Sequence, residues 1–304
     1  MKSFIIKILV FAVLMLAVDM SIGKVFAILQ DRAPYGNWQR FRYINDEMRD
    51  DILIMGSSRA SHHYVPKIIE DSLGMSCYNC GVDGYGIIMF WGNYQMFSSR
   101  YSPKIIIYDL SRFDTAEDDH STYLGWLRAY YNRDCISRMF DEVDEMEKYK
   151  MMSYAYRWNF KFVQLATDNV AQFVKTEKGY KPLSGTMNYV PGKDKNNLIT
   201  NKTIKADYDE LKFEYIERMI VSCKKRGITL VFALSPMYGA GSSGVYEGVF
   251  TLAKKYDCPV INMYASQKYV SDTRYFKDSS HMNSFGAEEY TKDFILNLKK
   301  LGLV

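Results

Sequence analysis

The sequence predicts an α/β fold: a doubly wound parallel sheet of about five strands, with a helical insertion and an N-terminal transmembrane helix. Three observations carry the prediction. Short apolar runs closed by glycine or polar residues alternate with helix-periodic stretches from residue 51 to the end. That rhythm breaks between about 113 and 205, in a stretch too long for one crossover. A basic start, Lys2 and Lys7, precedes the unbroken apolar run Ile8 to Val18.

The N-terminal segment has two readings. Its basic start, short apolar run and Val25-Phe26-Ala27 resemble a cleaved signal peptide. Ile8 to Leu29 is also about the ~20 residues that span a bilayer. Asp19 would then cost roughly 2.5–3.5 kcal/mol near the bilayer centre unless it is paired or faces a protein partner. The run lies far from Ala27 for efficient cleavage, so the uncleaved anchor is preferred, over residues 1–30, followed by a linker over 31–50. Either reading keeps the positive N-terminus inside and exports the remainder, to a bacterial periplasm or cell surface.

The sheet elements follow in order. Asp51–Met55 is a short apolar strand ending at Gly56, and Val65 to Leu73 is helix-like. Met75–Cys80 is a second strand, closed by Gly81, Gly84 and Gly86, and Ile88 to Ser99 a helix. Lys104–Asp109 is continuously apolar until its last residue, as a strand covered on both faces should be. Tyr208 to Lys225 is a periodic helix stopped by Gly227. Ile228–Leu234 is a strand ended by Ser235-Pro236, Val245–Lys255 a helix, and Pro259–Met263 the fifth strand. Ser284 to Lys300 is the closing amphipathic helix, with Ser284 read as its N-cap. The insertion, acidic over Asp141 to Glu145 and loop-like from Gly179 to Thr203, reads as a helical cap over the strand ends or as a solvated decoration.

Composition excludes several function classes. A net charge of +4 with no long basic block argues against nucleic acid, and Lys224-Lys225-Arg226 reads as a solvated helix end. Cys77 and Cys80 have C-x-x-C spacing but lie in a strand, where they read as small core residues. Four histidines without H-E-x-x-H spacing make a poor metal set. No cofactor or metal is expected.

The polar residues fall where chemistry is expected. In doubly wound sheets, reactive groups gather beyond the carboxyl ends of the strands. Ser57 and Ser58 follow the first strand, Gly81 to Gly86 the second, and Asp109 to Arg112 the third, while Asp278 and His281 precede the last helix. A serine needs a base within reach. His281 has an aspartate three residues earlier that can hold its Nδ1 proton and leave Nε2 facing a serine. The backbone N–H groups of Ser58 and Gly84 would suit the oxyanion. His62 and His63 are expected to face solvent or the rim.

These residues resemble the SGNH, or GDSL-like, hydrolases over most of Asp51 to Val304 apart from the insertion. Gly56-Ser57-Ser58 is similar to that family's Gly-Asp-Ser block, Asn79 to Gly84 to its second block, and Asp278-Ser279-Ser280-His281 to its Asp-x-x-His block. The resemblance implies a flavodoxin-like sheet, Ser58 as nucleophile, His281 as base, Asp278 as its orienter and Gly84 as oxyanion donor. The family's Gly-x-Asn-Asp block is absent, since the third strand ends in Tyr108-Asp109-Leu110-Ser111-Arg112. Arg59, Arg112 or Ser111 would support the oxyanion or substrate instead, or the third donor is absent. The Gly-Ser-Ser opening also resembles membrane-anchored relatives that modify cell-surface polymers beside a membrane-bound O-acyltransferase. The resemblance therefore implies an exported serine esterase or O-acyltransferase acting on O-acyl, chiefly acetyl, groups of a surface glycan. Its alternative is a catalytically inert SGNH-fold glycan-binding or scaffold protein that partners such an acyltransferase.

Overall fold

The computed structural model describes residues 1–172, 176–188 and 208–304. In chain order the helices and strands are α1 (Lys2–Arg32), α2 (Gly36–Arg42), β1 (Ile52–Gly56), α3 (Ser58–His63), α4 (Pro66–Leu73), β2 (Cys77–Asn79), α5 (Ile87–Ser98) and β3 (Ile105–Asp109). They continue as α6 (Asp134–Val143), α7 (Glu145–Lys150), α8 (Phe162–Val170), α9 (Glu210–Lys225), β4 (Thr229–Leu234), α10 (Glu247–Lys255), β5 (Val260–Asn262) and α11 (Ser284–Lys300). The chain divides into two compact units, Met1–Glu47 with Asp119–Val174, and Met48–Asp118 with Lys175–Val304.

The larger unit holds a parallel sheet in the order β2-β1-β3-β4-β5. This is the flavodoxin-like order, in which the chain winds to one side of β1 and then returns to the other. Alternation along the strands sorts the core into two layers. Ile52, Ile54, Ile105, Ile107 and Val231 pack with Tyr64, Ile69, Tyr290 and Phe294 of the α3, α4 and α11 side. Tyr108 points the other way, edge-on to Phe90 of α5. Each such fully buried side chain contributes about 1.5–3 kcal/mol, enough to fix the register that aligns Gly56 with Asp109 at the switch.

Gly56 is required there by sterics. Its φ is +134°, and a Cβ would lie 2.4 Å from the carbonyl oxygen of Asp109. Four of the five strands fall within the predicted runs, and β1 extends one residue past its run, to Gly56. Two local details differ from the sequence reading. The N-cap of α11 is Asn283, whose side chain accepts from the Gly286 N–H at 2.9 Å, so the helix starts on an amide rather than on the Ser284 hydroxyl. His63 is fully buried instead of facing solvent or the rim, while His62, also buried, lies at the rim against the ring of His281.

The smaller unit joins the N-terminal segment to residues 119–172. Residues 31–50, expected as a linker, contain α2, and the N–H of Trp38 near its start donates to Asp168 of α8. Asp168 is buried and its carboxyl is raised by that burial, against the pull of the α2 backbone donors. α1 is long and apolar enough to cross a membrane. Asp19 is paired within this unit: it accepts from the Ser153 hydroxyl at 2.6 Å and from the Tyr154 and Ala155 N–H groups at 2.7 and 3.1 Å. The part of the predicted Gly179–Thr203 loop beyond residue 188 lies outside the described residues.

Candidate active site

The site is built on the carboxyl ends of β1 and β3 and on the loop before α11. β1 ends at Gly56, Ser57 turns the chain, and α3 begins at Ser58, which sets the Ser58 side chain at the rim. The loop from Phe276 to Met282 closes on itself as an antiparallel bridge, held by Lys277 N–H donating to His281 O at 2.8 Å. Asn283 braces it, its amide donating to the carbonyl of Arg274 at 2.8 Å. The loop thus has little freedom at the histidine.

Ser58, His281 and Asp278 come together. Ser58 Oγ lies 2.7 Å from His281 Nε2. Both oxygens of Asp278 lie 3.0 Å from His281 Nδ1. Asp278 Oδ1 also accepts from the Ser280 and His281 N–H groups at 2.9 and 3.0 Å. An ionised carboxylate at Nδ1 keeps the hydrogen there and leaves Nε2 bare toward the serine. Burial tends to raise Asp278, but the His281 ring and the two backbone donors outweigh it and hold its carboxyl below the usual range. It is a surface acid, with its side chain 53% exposed against 26% for His281, so water screens part of its charge.

The other predicted residues are placed as follows. Gly84, at φ +78° with open space where a Cβ would stand, directs its N–H to the hydroxyl of Ser57 at 3.3 Å, not to Ser58. Arg59 is buried: its guanidinium donates to the carbonyl of Leu110, lies 3.9 Å from Asp109 and sits 5.4 Å over the ring of Tyr264. Ser111 donates its hydroxyl to Asp114 at 2.8 Å and caps a short 3-10 turn. Arg112, in that turn, is exposed. Arg59 and Ser111 thus have structural partners, while Arg112 points to solvent.

Sequence reasoning missed a buried polar chain beneath the site. Met282 N–H donates to His63 Nε2 at 2.9 Å, so Nδ1 carries the hydrogen and donates to Ser235 Oγ, also at 2.9 Å. Ser235 in turn donates to Asp109 Oδ2 at 2.5 Å, and Asp109 faces Arg59. Burial first, then the Arg59 cation, pushes His63 well below the ordinary imidazole range, which agrees with a neutral ring that both donates and accepts. Burial lifts Asp109 above the usual carboxylate range against the pull of Arg59 and Ser235. The chain ties the backbone beside His281 to the ends of β3 and β4. Its one sequence signal was the placement of Asp109 and Ser235 at the carboxyl ends of two strands.

His62 lies at the rim, one of the two places expected for it. Its Nδ1 donates to the carbonyl of Lys181 at 2.7 Å, its Nε2 lies 3.5 Å from Asp83, and its ring meets that of His281 edge-on at 5.4 Å. Burial would raise Asp83, but His62 and Lys181 hold it well below the ordinary value. This charged cluster forms the wall of the site on the Gly84 side.

No protein-family profile matches the sequence, and no curated protein matches it. Among solved structures, the chain is similar to a GDSL-like lipase from Bacteroides thetaiotaomicron, at 11% identity and TM-score 0.41, covering 86% of this chain and 98% of that one. It is similar to an acetyl xylan esterase at 10% identity and TM-score 0.39, covering 81% and 99%. A two-domain esterase active on acetylated mannans matches at 10% identity and TM-score 0.43, covering 82% of this chain and 48% of that one. Likeness of this degree carries no inference about the chemistry of this chain, which rests on the geometry above.

Proposed function

We propose that the protein is a serine esterase or O-acyltransferase acting through an acyl-enzyme on O-acyl groups of a cell-surface glycan. The observation that carries the reading is the 2.7 Å contact between Ser58 Oγ and His281 Nε2, with Asp278 on the far side of the ring. Ser58 attacks the ester carbonyl while its proton passes to Nε2. The oxyanion collapses, Nε2 returns the proton to the departing sugar oxygen, and the acyl group stays on Ser58. Water or a second hydroxyl then attacks, gives its proton to Nε2, and releases the acid or the new ester as the proton returns to Ser58.

The N–H groups of Ser58 and Gly84 serve the oxyanion. In the resting site the Gly84 N–H rests on Ser57 at a long 3.3 Å, a weak bond that a developing negative charge would outcompete. The Ser57 hydroxyl, which accepts that bond and keeps its own hydrogen, is the third donor in place of the family's missing asparagine. The apolar α1 and the motif resemblance support an exported chain held at the membrane.

The test is release of acetate from an O-acetylated polysaccharide, followed by proton NMR, with and without an added acceptor glycan. The wild-type protein should deacetylate it, or move the acetyl group to the acceptor, and Ser58→Ala should do neither. Equal turnover by the two proteins would overturn the reading.

A further inference from the structure

We infer that the turn from α7 toward α8, centred on Met152, is a membrane-seated surface that lies in the lipid interface beside α1. The inference rests on the reading of α1 as a membrane anchor and adds to it a second contact with the bilayer.

The depth of this turn follows from its bonds. Residues Lys2 to Val18 are exposed along their whole length, and at about 1.5 Å per residue they rise about 25 Å, against roughly 30 Å of hydrocarbon. The far boundary therefore falls just past Asp19, not near Leu29 as an Ile8–Leu29 span would put it, because α1 beyond Asp19 is packed against residues 153–158 through Gly23, Phe26 and Gln30. Asp19 accepts from Ser153, Tyr154 and Ala155, which fixes those residues, and Met152 before them, at that level. Gly23, one turn further, lets the segment close in: a Cβ there would stand 2.5 Å from the Cβ of Tyr154. An acid at this depth with three donors no longer needs an outside partner.

The composition of the turn matches a lipid interface. Met152 is 75% exposed and Tyr149 58%, and Met20 and Ile22 of α1, next to Asp19 in sequence, are exposed as well. Tyrosines suit the headgroup level, where a ring and a hydroxyl find different surroundings. From Met146 to Val163 the one acid is Glu147, which is buried and paired with Arg128 at 2.8 Å and Lys150 at 2.7 Å. Lys148 and Lys150 are held by Asp141 at 3.5 Å and Glu147 at 2.7 Å, so the turn meets the headgroup level through its tyrosines and Met152.

The experiment uses the full chain, purified and reconstituted alone into vesicles of phosphatidylcholine with brominated acyl chains. Met152→Trp, and Tyr149→Trp as a second site, replace exposed residues and should leave the fold intact. Each added indole should emit to the blue and lose intensity to the bromines, and acrylamide in the water should quench it little. Leu14→Trp, within α1, reports the anchor itself. If Leu14→Trp is quenched by bromine while both turn variants emit to the red and yield to acrylamide, the anchor stands and the inference falls, the surface then belonging to a protein partner. If none is quenched, the anchor reading fails and the inference with it.

Discussion

Replacing Asp278 by Asn separates orientation of His281 from mere support of the loop. Asp278 Oδ1 holds two backbone N–H groups, so an Asn would keep its oxygen there and turn its NH2 toward Nδ1. That NH2 is a donor, which favours the imidazole tautomer with hydrogen on Nε2, and such a ring cannot take the Ser58 proton. Removing the charge also matters: a unit pair about 4 Å apart is worth ~1 kcal/mol in bulk water and ~4 kcal/mol at an effective dielectric of ~20. A half-exposed carboxylate lies between these, at about 2 kcal/mol or ~30-fold in kcat/KM. Asp278→Ala should lose about that much, and Asp278→Asn more, since it adds the wrong tautomer. The assay is hydrolysis of a fluorogenic acetyl ester at neutral pH, with circular dichroism to confirm the fold. An Asn variant within about threefold of wild type, or more active than Ala, would refute the orienting role.

Two further predictions follow from the same geometry. Gly84→Ala should fold, since a Cβ meets open space, at a cost of about 1 kcal/mol for a side chain at positive φ, and should lower kcat about tenfold or more by displacing an oxyanion N–H; an unchanged kcat would remove Gly84 from the site. His63, whose folded-state value lies well below the ordinary 6.5, gives stability that is present above the unfolded value and lost as pH falls, because only the unfolded chain then takes the proton. The expected slope is about 1.4 kcal/mol per pH unit below ~6.5. Asp114, raised by burial to about 6, contributes the opposite sign, gaining stability as pH falls through that value. The difference in urea midpoint between wild type and His63→Gln across this range isolates His63, and parallel curves would contradict its buried neutral state.

The sheet was legible because each strand is a short apolar run with an abrupt polar or glycine end, and burial on both faces leaves no other use for Ile105-Ile106-Ile107. The contact of Ser58, His281 and Asp278, on which the proposed catalysis rests, was legible because Asp278 and His281 are local, and a strand-ending Gly-Ser-Ser is a compact signal. His63 was not. It shares its bond with Ser235 across 172 residues of chain, and nothing local separates a buried, hydrogen-bonded histidine from one at solvent or the rim, as expected there. Asp19 was legible as an anomaly, but its partners Ser153 to Ala155 lie in a stretch with no period to read. Arg59 and Ser111 looked available because their partners, Leu110, Asp109 and Asp114, are brought to them by folding.

The most direct test of the account is covalent trapping of Ser58. The purified protein is treated with a fluorophosphonate and examined by intact mass and peptide mapping. The account predicts one adduct, on Ser58, absent in Ser58→Ala and slowed in His281→Ala. An unmodified protein would contradict it and favour an inert binding protein on the same fold, and an adduct on another residue that persists in Ser58→Ala would contradict it by placing the nucleophile elsewhere.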